Sequence, residues 1–139
     1  MLTAPDWALG SQYLRENAPE LIPFIEKYGV CTLQPEAPQK YFGTLLTGII
    51  SQQLPPEVSL AMVKKLEETV GTPITPEAVA AASDEALCAC GIMQQKVIYL
   101  KGFADAVLTG KVTMDKFDSM TDAEITKQLT QIKGLGQWT

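Results

Sequence analysis

The stretch of this sequence best suited to chemistry is Gly134-Leu135-Gly136, near its end. A helix with apolar anchors at Leu129 and Ile132 stops at the first glycine. One apolar residue follows, and after the second glycine Gln137-Trp138-Thr139 reads as the start of a new helix. Two glycines flanking one hydrophobe permit a tight turn at positive φ and leave backbone amides uncovered. Amides at a helix start favour anions, so a phosphate fits there without side-chain help. Leu135 would plug the turn into the core. Gly-x-Gly alone also describes an ordinary αα-hairpin; the anchors before it and Trp138-Thr139 after it make the pattern more specific. The glycine spacing predicts a surface hairpin with accessible amides. It also predicts that Gly136→Val weakens nucleic-acid binding, because a β-branched residue takes positive φ at high cost.

Other chemistries are excluded by residue type. The chain has no histidine, so it holds neither an HExxH zinc site nor a Ser-His-Asp or Cys-His arrangement. Cys31, Cys88 and Cys90 contain no CxxC pair and read as buried or partly buried thiols of a reducing compartment. Net charge is −5, which argues mildly against a polyanionic partner. The distribution softens this: residues 1–90 carry 5 basic and 11 acidic side chains, residues 91–139 carry 6 and 5. The start, Met1 to Gly10, has Asp6 and no basic n-region, and no apolar run approaches a membrane span. These features read as a cytoplasmic protein with no membrane partner.

The elements that must position the hairpin follow helix grammar almost throughout. Asp6 caps a helix to Asn17, and Pro19 opens one to Tyr28 that stops at Gly29. Cys31 to Gln39 is an extended connector. Tyr41 to Gln53 is a core helix with Phe42, Leu45, Leu46, Ile49 and Ile50 at helical spacing. Pro55-Pro56 restarts the chain for a helix to Val70, with Leu60, Val63 and Leu66 facing inward and Gly71 closing it. Thr75-Pro76-Glu77 and Ser83-Asp84-Glu85 open short helices, and Gln94 to Thr109 forms another with Val97, Tyr99, Leu100, Phe103 and Val107 as its apolar positions. Thr121 and Glu124 form a capping box for a helix to Ile132. The prediction is an all-α fold of about eight short helices in one partial domain, 1–139, ending in the 129–139 motif.

With these elements in place, the 129–139 segment resembles the helix-hairpin-helix of the DNA glycosylase superfamily, closest to its DNA-3-methyladenine glycosylase II branch. Phe42-Gly43-Thr44-Leu45-Leu46-Thr47-Gly48-Ile49-Ile50-Ser51-Gln52-Gln53-Leu54 resembles that branch's signature helix, and Gly91-Ile92-Met93 with Lys96, Tyr99 and Leu100 is a third match in family order. The resemblance implies the N-terminal portion of the helix-hairpin-helix glycosylase fold. It implies a base excision repair enzyme that rotates a damaged base out of duplex DNA and hydrolyses its N-glycosidic bond. On this resemblance Gln53 and Leu54 match the wedge that fills the vacated stack. The amides of Gly134 and Gly136, with Thr139, match the phosphate-holding positions, and Lys133 stands where the family usually has proline. No cofactor is required. A structural monovalent cation would sit on the carbonyls of Thr130, Ile132 and Leu135.

Trp138 occupies the position where bifunctional members carry a lysine nucleophile, which implies a monofunctional enzyme. Its aromatic face also suits a base pocket for a cationic alkylated purine. The resemblance places the catalytic aspartate beyond the helix that Trp138 and Thr139 begin. No residue of these 139 matches it, so the fragment is expected to be inactive by itself. The implied partner is double-stranded DNA with alkylated bases, bound by a monomer. Two other readings stay open: a non-catalytic helix-hairpin-helix module that binds DNA or serves as a scaffold, and a mismatch or oxidised-base glycosylase of the same superfamily.

Overall fold

The computed structural model describes residues 5–139. The reading of Met1 to Gly10 as leaderless therefore lies partly outside the described residues. All regular structure among them is helical, and no helix is long and apolar enough to cross a membrane. The chain forms two compact units that divide between Glu36 and Ala37.

In the first unit, α1 (Trp7–Asn17) is capped by Asp6, whose carboxylate accepts from the Leu9 amide at 2.9 Å. A 3₁₀ turn at Pro19–Leu21 leads into α2 (Ile22–Tyr28), which ends at Gly29 with φ of 80°. The Trp7 indole donates to the Leu33 carbonyl at 2.7 Å and ties down the extended stretch after α2. None of the described residues of this unit is buried, and Cys31 is exposed rather than buried or partly buried.

The second unit holds the core. Its helices are α3 (Tyr41–Ser51), α4 (Pro56–Val70), α5 (Pro76–Ala81), α6 (Asp84–Ala89), α7 (Gln94–Leu108) and α8 (Asp122–Leu129). The caps are those the residues announce: the hydroxyls of Thr75, Ser83 and Thr121 accept from amides three residues on, and Thr121 with Glu124 completes a capping box. The apolar stripe of α3 buries Phe42, Leu46, Ile49 and Ile50 against α7, which contributes Val97, Leu100, Phe103 and Ala104. Phe42 and Phe103 stack with centroids 5.0 Å apart. Leu66, Val79 and Leu87 close the core from α4, α5 and α6. Each such side chain contributes about 2 kcal/mol of burial.

Two expectations are corrected. Leu60 faces solvent at 65% exposure; α4 buries Leu66 as expected, but with Ser59 in place of Leu60. The helix after Pro55 starts at Pro56, and the buried Ser59 hydroxyl is satisfied locally by donating back to the Pro56 carbonyl at 2.9 Å. Helix α8 stops at Leu129 rather than Ile132. Beyond Gly136 the last three residues form a turn, closed by Thr139 N–H donating to the Gly136 carbonyl at 3.1 Å.

These burials predict that Leu100→Ala destabilises the fold by about 3 kcal/mol, while Leu60→Ala stays within about 0.5 kcal/mol of the parent. Urea denaturation with the two variants side by side measures the difference; equal losses would mean that α4 packs through Leu60 after all.

Candidate nucleic-acid interface

The resemblance-derived residues gather at one end of the second unit, where three segments meet: the end of α3, the start of α7 and the hairpin after α8. They line an open cleft of about 770 Å³. Its wall includes Ser51, Gln52 and Gln53 from α3 and its turn, Met93, Lys96 and Tyr99 from α7 and its approach, and Gly136, Trp138 and Thr139 from the hairpin.

The turn after α3 is built with strain. The Leu54 amide donates to the Ser51 carbonyl at 3.1 Å, Gln52 has φ −51° and ψ 124°, and Gln53 has φ +60°. This is a type II turn with glutamine at the corner where glycine is usual. A non-glycine residue there costs on the order of 1–2 kcal/mol. The conformation leaves Gln53 exposed in the cleft, while Leu54 is half-buried and lies outside its lining. Of the two wedge residues named from sequence, only Gln53 is presented to the cleft.

Gln52 joins this turn to the hairpin. Its side-chain amide donates to the Gly134 carbonyl at 2.8 Å and to the Thr139 hydroxyl at 3.1 Å. On the apolar side, Ile132 and Leu135 are buried in the core. Gly134 lies against the Tyr99 ring with φ +93°, and a Cβ placed on it would come within 2.7 Å of that ring. Gly48 plays a similar part in α3: a Cβ there would meet the Thr139 methyl at 3.0 Å. Glycine in both places lets α3, α7 and the hairpin approach closely.

Gly136 differs from the expectation. Its φ is not positive, and nothing lies within 4 Å of where its Cβ would be. Its amide donates to the Thr139 hydroxyl at a long 3.4 Å, a contact that a stronger acceptor can replace. Only Gly134 needs glycine for its backbone, so the strain argument for Gly136→Val fails. Lys133 is exposed on the same turn. Trp138 is 99% exposed and lines the cleft without covering it. The carbonyls of Thr130, Ile132 and Leu135 are neutral oxygen donors, the chemistry of a hard cation. The Ile132 carbonyl already accepts from the Leu135 amide at 3.0 Å, so an ion would take its remaining lone pair.

Lys96 was named from sequence only as part of a matching motif, and its placement is a finding. It is 8% exposed, and its ammonium donates to the carbonyls of Ile50 and Gln52, the latter at 2.8 Å. Burial pushes its pKa below the usual lysine value. The signal in the sequence was a lysine in the first turn of an otherwise apolar helix face, the wrong charge for that end of the dipole. No carboxylate is among the residues lining the cleft.

Glycine is thus required at one hairpin position and optional at the other. Gly134→Ala is predicted to lose about 2 kcal/mol or more through positive φ and the Tyr99 clash. Gly136→Ala should stay within about 0.5 kcal/mol of the parent. Thermal or urea unfolding decides; a well-tolerated Gly134→Ala would show that the hairpin does not seat on Tyr99.

Comparison with known proteins agrees with this geometry. Residues 46–138 match the family described as HhH-GPD superfamily base excision DNA repair protein. DNA-3-methyladenine glycosylase 1 of Schizosaccharomyces pombe is 32% identical over 98 residues, which is 68% of this chain and 43% of that protein. The crystal structure of a DNA-3-methyladenine glycosidase from Bacillus halodurans superposes with a TM-score of 0.73 at 29% identity, over 90% of this chain and 57% of that one. A Schizosaccharomyces pombe 3-methyladenine DNA glycosylase in complex with abasic DNA shares the fold, with a TM-score of 0.70 at 24% identity over 88% and 60% of the two chains. The chain spans about half the length of these relatives. With a family match over two thirds of its length and the hairpin in place, this chain belongs to the HhH-GPD superfamily of base excision DNA repair proteins.

Proposed function

We propose that these residues are the DNA-engaging part of a monofunctional DNA glycosylase that hydrolyses the N-glycosidic bond of alkylated purines such as 3-methyladenine. The observation that carries the reading is the Gln52 clamp, which holds a strained, cleft-facing Gln53 and a glycine hairpin in one frame. A base leaving the stack needs a residue to fill its place and a hold on the backbone beside it. Gln53 supplies the first. The Gly134 to Thr139 hairpin, with Lys133 beside it, supplies the second. Relatives named for 3-methyladenine support the substrate class. Trp138 offers an open aromatic face that suits a cationic alkylated base. The partner is double-stranded DNA, bound by a monomer in the cytoplasm. A monovalent cation on the Thr130, Ile132 and Leu135 carbonyls would stiffen the turn.

Chemistry needs one more group. Stabilising positive charge on the sugar calls for a fixed carboxylate in a poorly solvated site, and the cleft wall offers none. Lys96 is no substitute nucleophile, because its ammonium is buried and committed to two carbonyls. Residues 1–139 by themselves therefore bind without cleaving, which is also where the reading as a DNA-binding module gains support.

The test combines binding and turnover. The 139-residue chain is expected to prefer a duplex with a tetrahydrofuran abasic analogue over the intact duplex by about tenfold, the effect of roughly 1.4 kcal/mol of added contact. It is expected to release labelled 3-methyladenine from alkylated DNA no faster than buffer, and to form no borohydride-trapped adduct with abasic DNA. Equal affinity for the two duplexes would remove the lesion-reading role. Release above buffer, or a trapped adduct, would place a reacting group inside the cleft described above.

A further inference from the structure

The DNA-binding reading uses Gln53, the hairpin and Trp138, but it leaves one buried charge without a task. Lys96 is the third residue of α7, where a cation faces the positive end of that helix's dipole. Local propensity therefore argues against it. A buried ammonium also carries a desolvation cost that only good partners offset. Its partners are the Ile50 and Gln52 carbonyls at the end of α3. Those carbonyls lie at the negative end of a second helix, and a cation there satisfies acceptors that the helix cannot. Such a local conflict resolved by a tertiary contact marks a position held for a purpose beyond local stability.

The purpose follows from which residues the ammonium holds. The Gln52 carbonyl belongs to the residue whose side chain clamps Gly134 and Thr139, and it immediately precedes Gln53 at φ +60°. Gln53 has no steric reason to stay in the left-handed region, and released it would relax to an ordinary conformation. Fixing the carbonyl on its N-terminal side fixes the peptide plane that sets this φ. We infer that Lys96 is the positioning residue of the wedge: its ammonium, on the Ile50 and Gln52 carbonyls, keeps the Ser51–Leu54 turn strained so that Gln53 stays aimed into the cleft before DNA arrives. Lys96 need not touch the lesion; it acts through Gln53. The inference rests on the proposed role of the cleft as a lesion reader.

The experiment compares the 139-residue parent with Lys96→Met, Lys96→Gln and Lys96→Arg. Folding is checked by circular dichroism and thermal unfolding. Anisotropy gives the affinity ratio of a tetrahydrofuran-containing duplex to the intact duplex. Fluorescence of 2-aminopurine opposite the abasic analogue reports insertion of a side chain into the stack, which a purely structural role would not alter. The Met and Gln variants are expected to lose about tenfold of the abasic affinity and at most about twofold on the intact duplex, with the insertion signal largely gone. Arginine keeps the charge and the donors, so Lys96→Arg is expected to recover to within about threefold of the parent. A folded Met or Gln variant with the parent's ratio and insertion signal overturns the inference, as does an Arg variant no better than Met. Unfolding of both neutral variants also counts against it, since Lys96 would then be a folding requirement. A parent ratio near one would bring down the lesion-reading role itself; a discriminating parent with unchanged variants would bring down only the part given to Lys96.

Discussion

The side-chain amide of Gln52 is the contact on which the candidate interface depends. At 2.8 Å from the Gly134 carbonyl and 3.1 Å from the Thr139 hydroxyl, it joins two segments more than eighty residues apart. A neutral hydrogen bond of this kind contributes only about 1 kcal/mol net. Its importance is geometric. It ties the turn that carries Gln53 directly to the hairpin that offers its backbone, where core packing holds each of them separately. On the function proposed above, DNA meets both at once, and two loosely related anchors would each have to be ordered at the moment of binding.

Packing makes that contact possible. Ile132 and Leu135 enter the core, and Gly134 lies on the Tyr99 ring where no larger residue fits. Gly48 leaves room for Thr139 beside α3. On the other side of the turn, Gln128 accepts from the Thr113 amide at 3.1 Å and fixes α8, which delivers the hairpin. The cleft is therefore seated on buried core residues, while Gln53 and Trp138, which line it, and Lys133 on the adjoining turn remain open to solvent. A rigid seat under exposed recognition groups reduces the ordering cost of binding without committing those groups in advance.

Much of this was legible in the sequence because local rules and tertiary structure agree over most of the chain. Asp6, Thr75, Ser83 and Thr121 each announce a helix start, and the structure has a cap at each. The apolar spacing of 42–50 names the α3 face that is buried. Legibility fails where the deciding contact is distant. Leu60 fits a helical stripe, but nothing in the sequence says that Ser59 satisfies itself locally and turns inward instead. Gly134 and Gly136 look alike in the sequence, yet only Gly134 has positive φ and only Gly134 lies against Tyr99. Gln52 and Lys96 belong to recognisable motifs, but their bonds run 82 and 44 residues across the chain. No periodicity encodes such a contact.

The claim that the Ser51–Leu54 turn and the hairpin form one unit is tested most directly by amide hydrogen exchange in Gln52→Ala. The probes are the amides of Leu54 in the turn and of Leu135 and Thr139 in the hairpin, each hydrogen-bonded in the parent. Local opening of a shared unit raises exchange at all its amides together, and loss of about 1 kcal/mol of restraint corresponds to a rise of several-fold. The account predicts that Leu54, Leu135 and Thr139 speed up in parallel while the α5 and α7 amides keep their protection. Faster exchange at Leu54 alone, with Leu135 and Thr139 unchanged, would contradict it: the turn and the hairpin would then be independent, joined in space but not in energy.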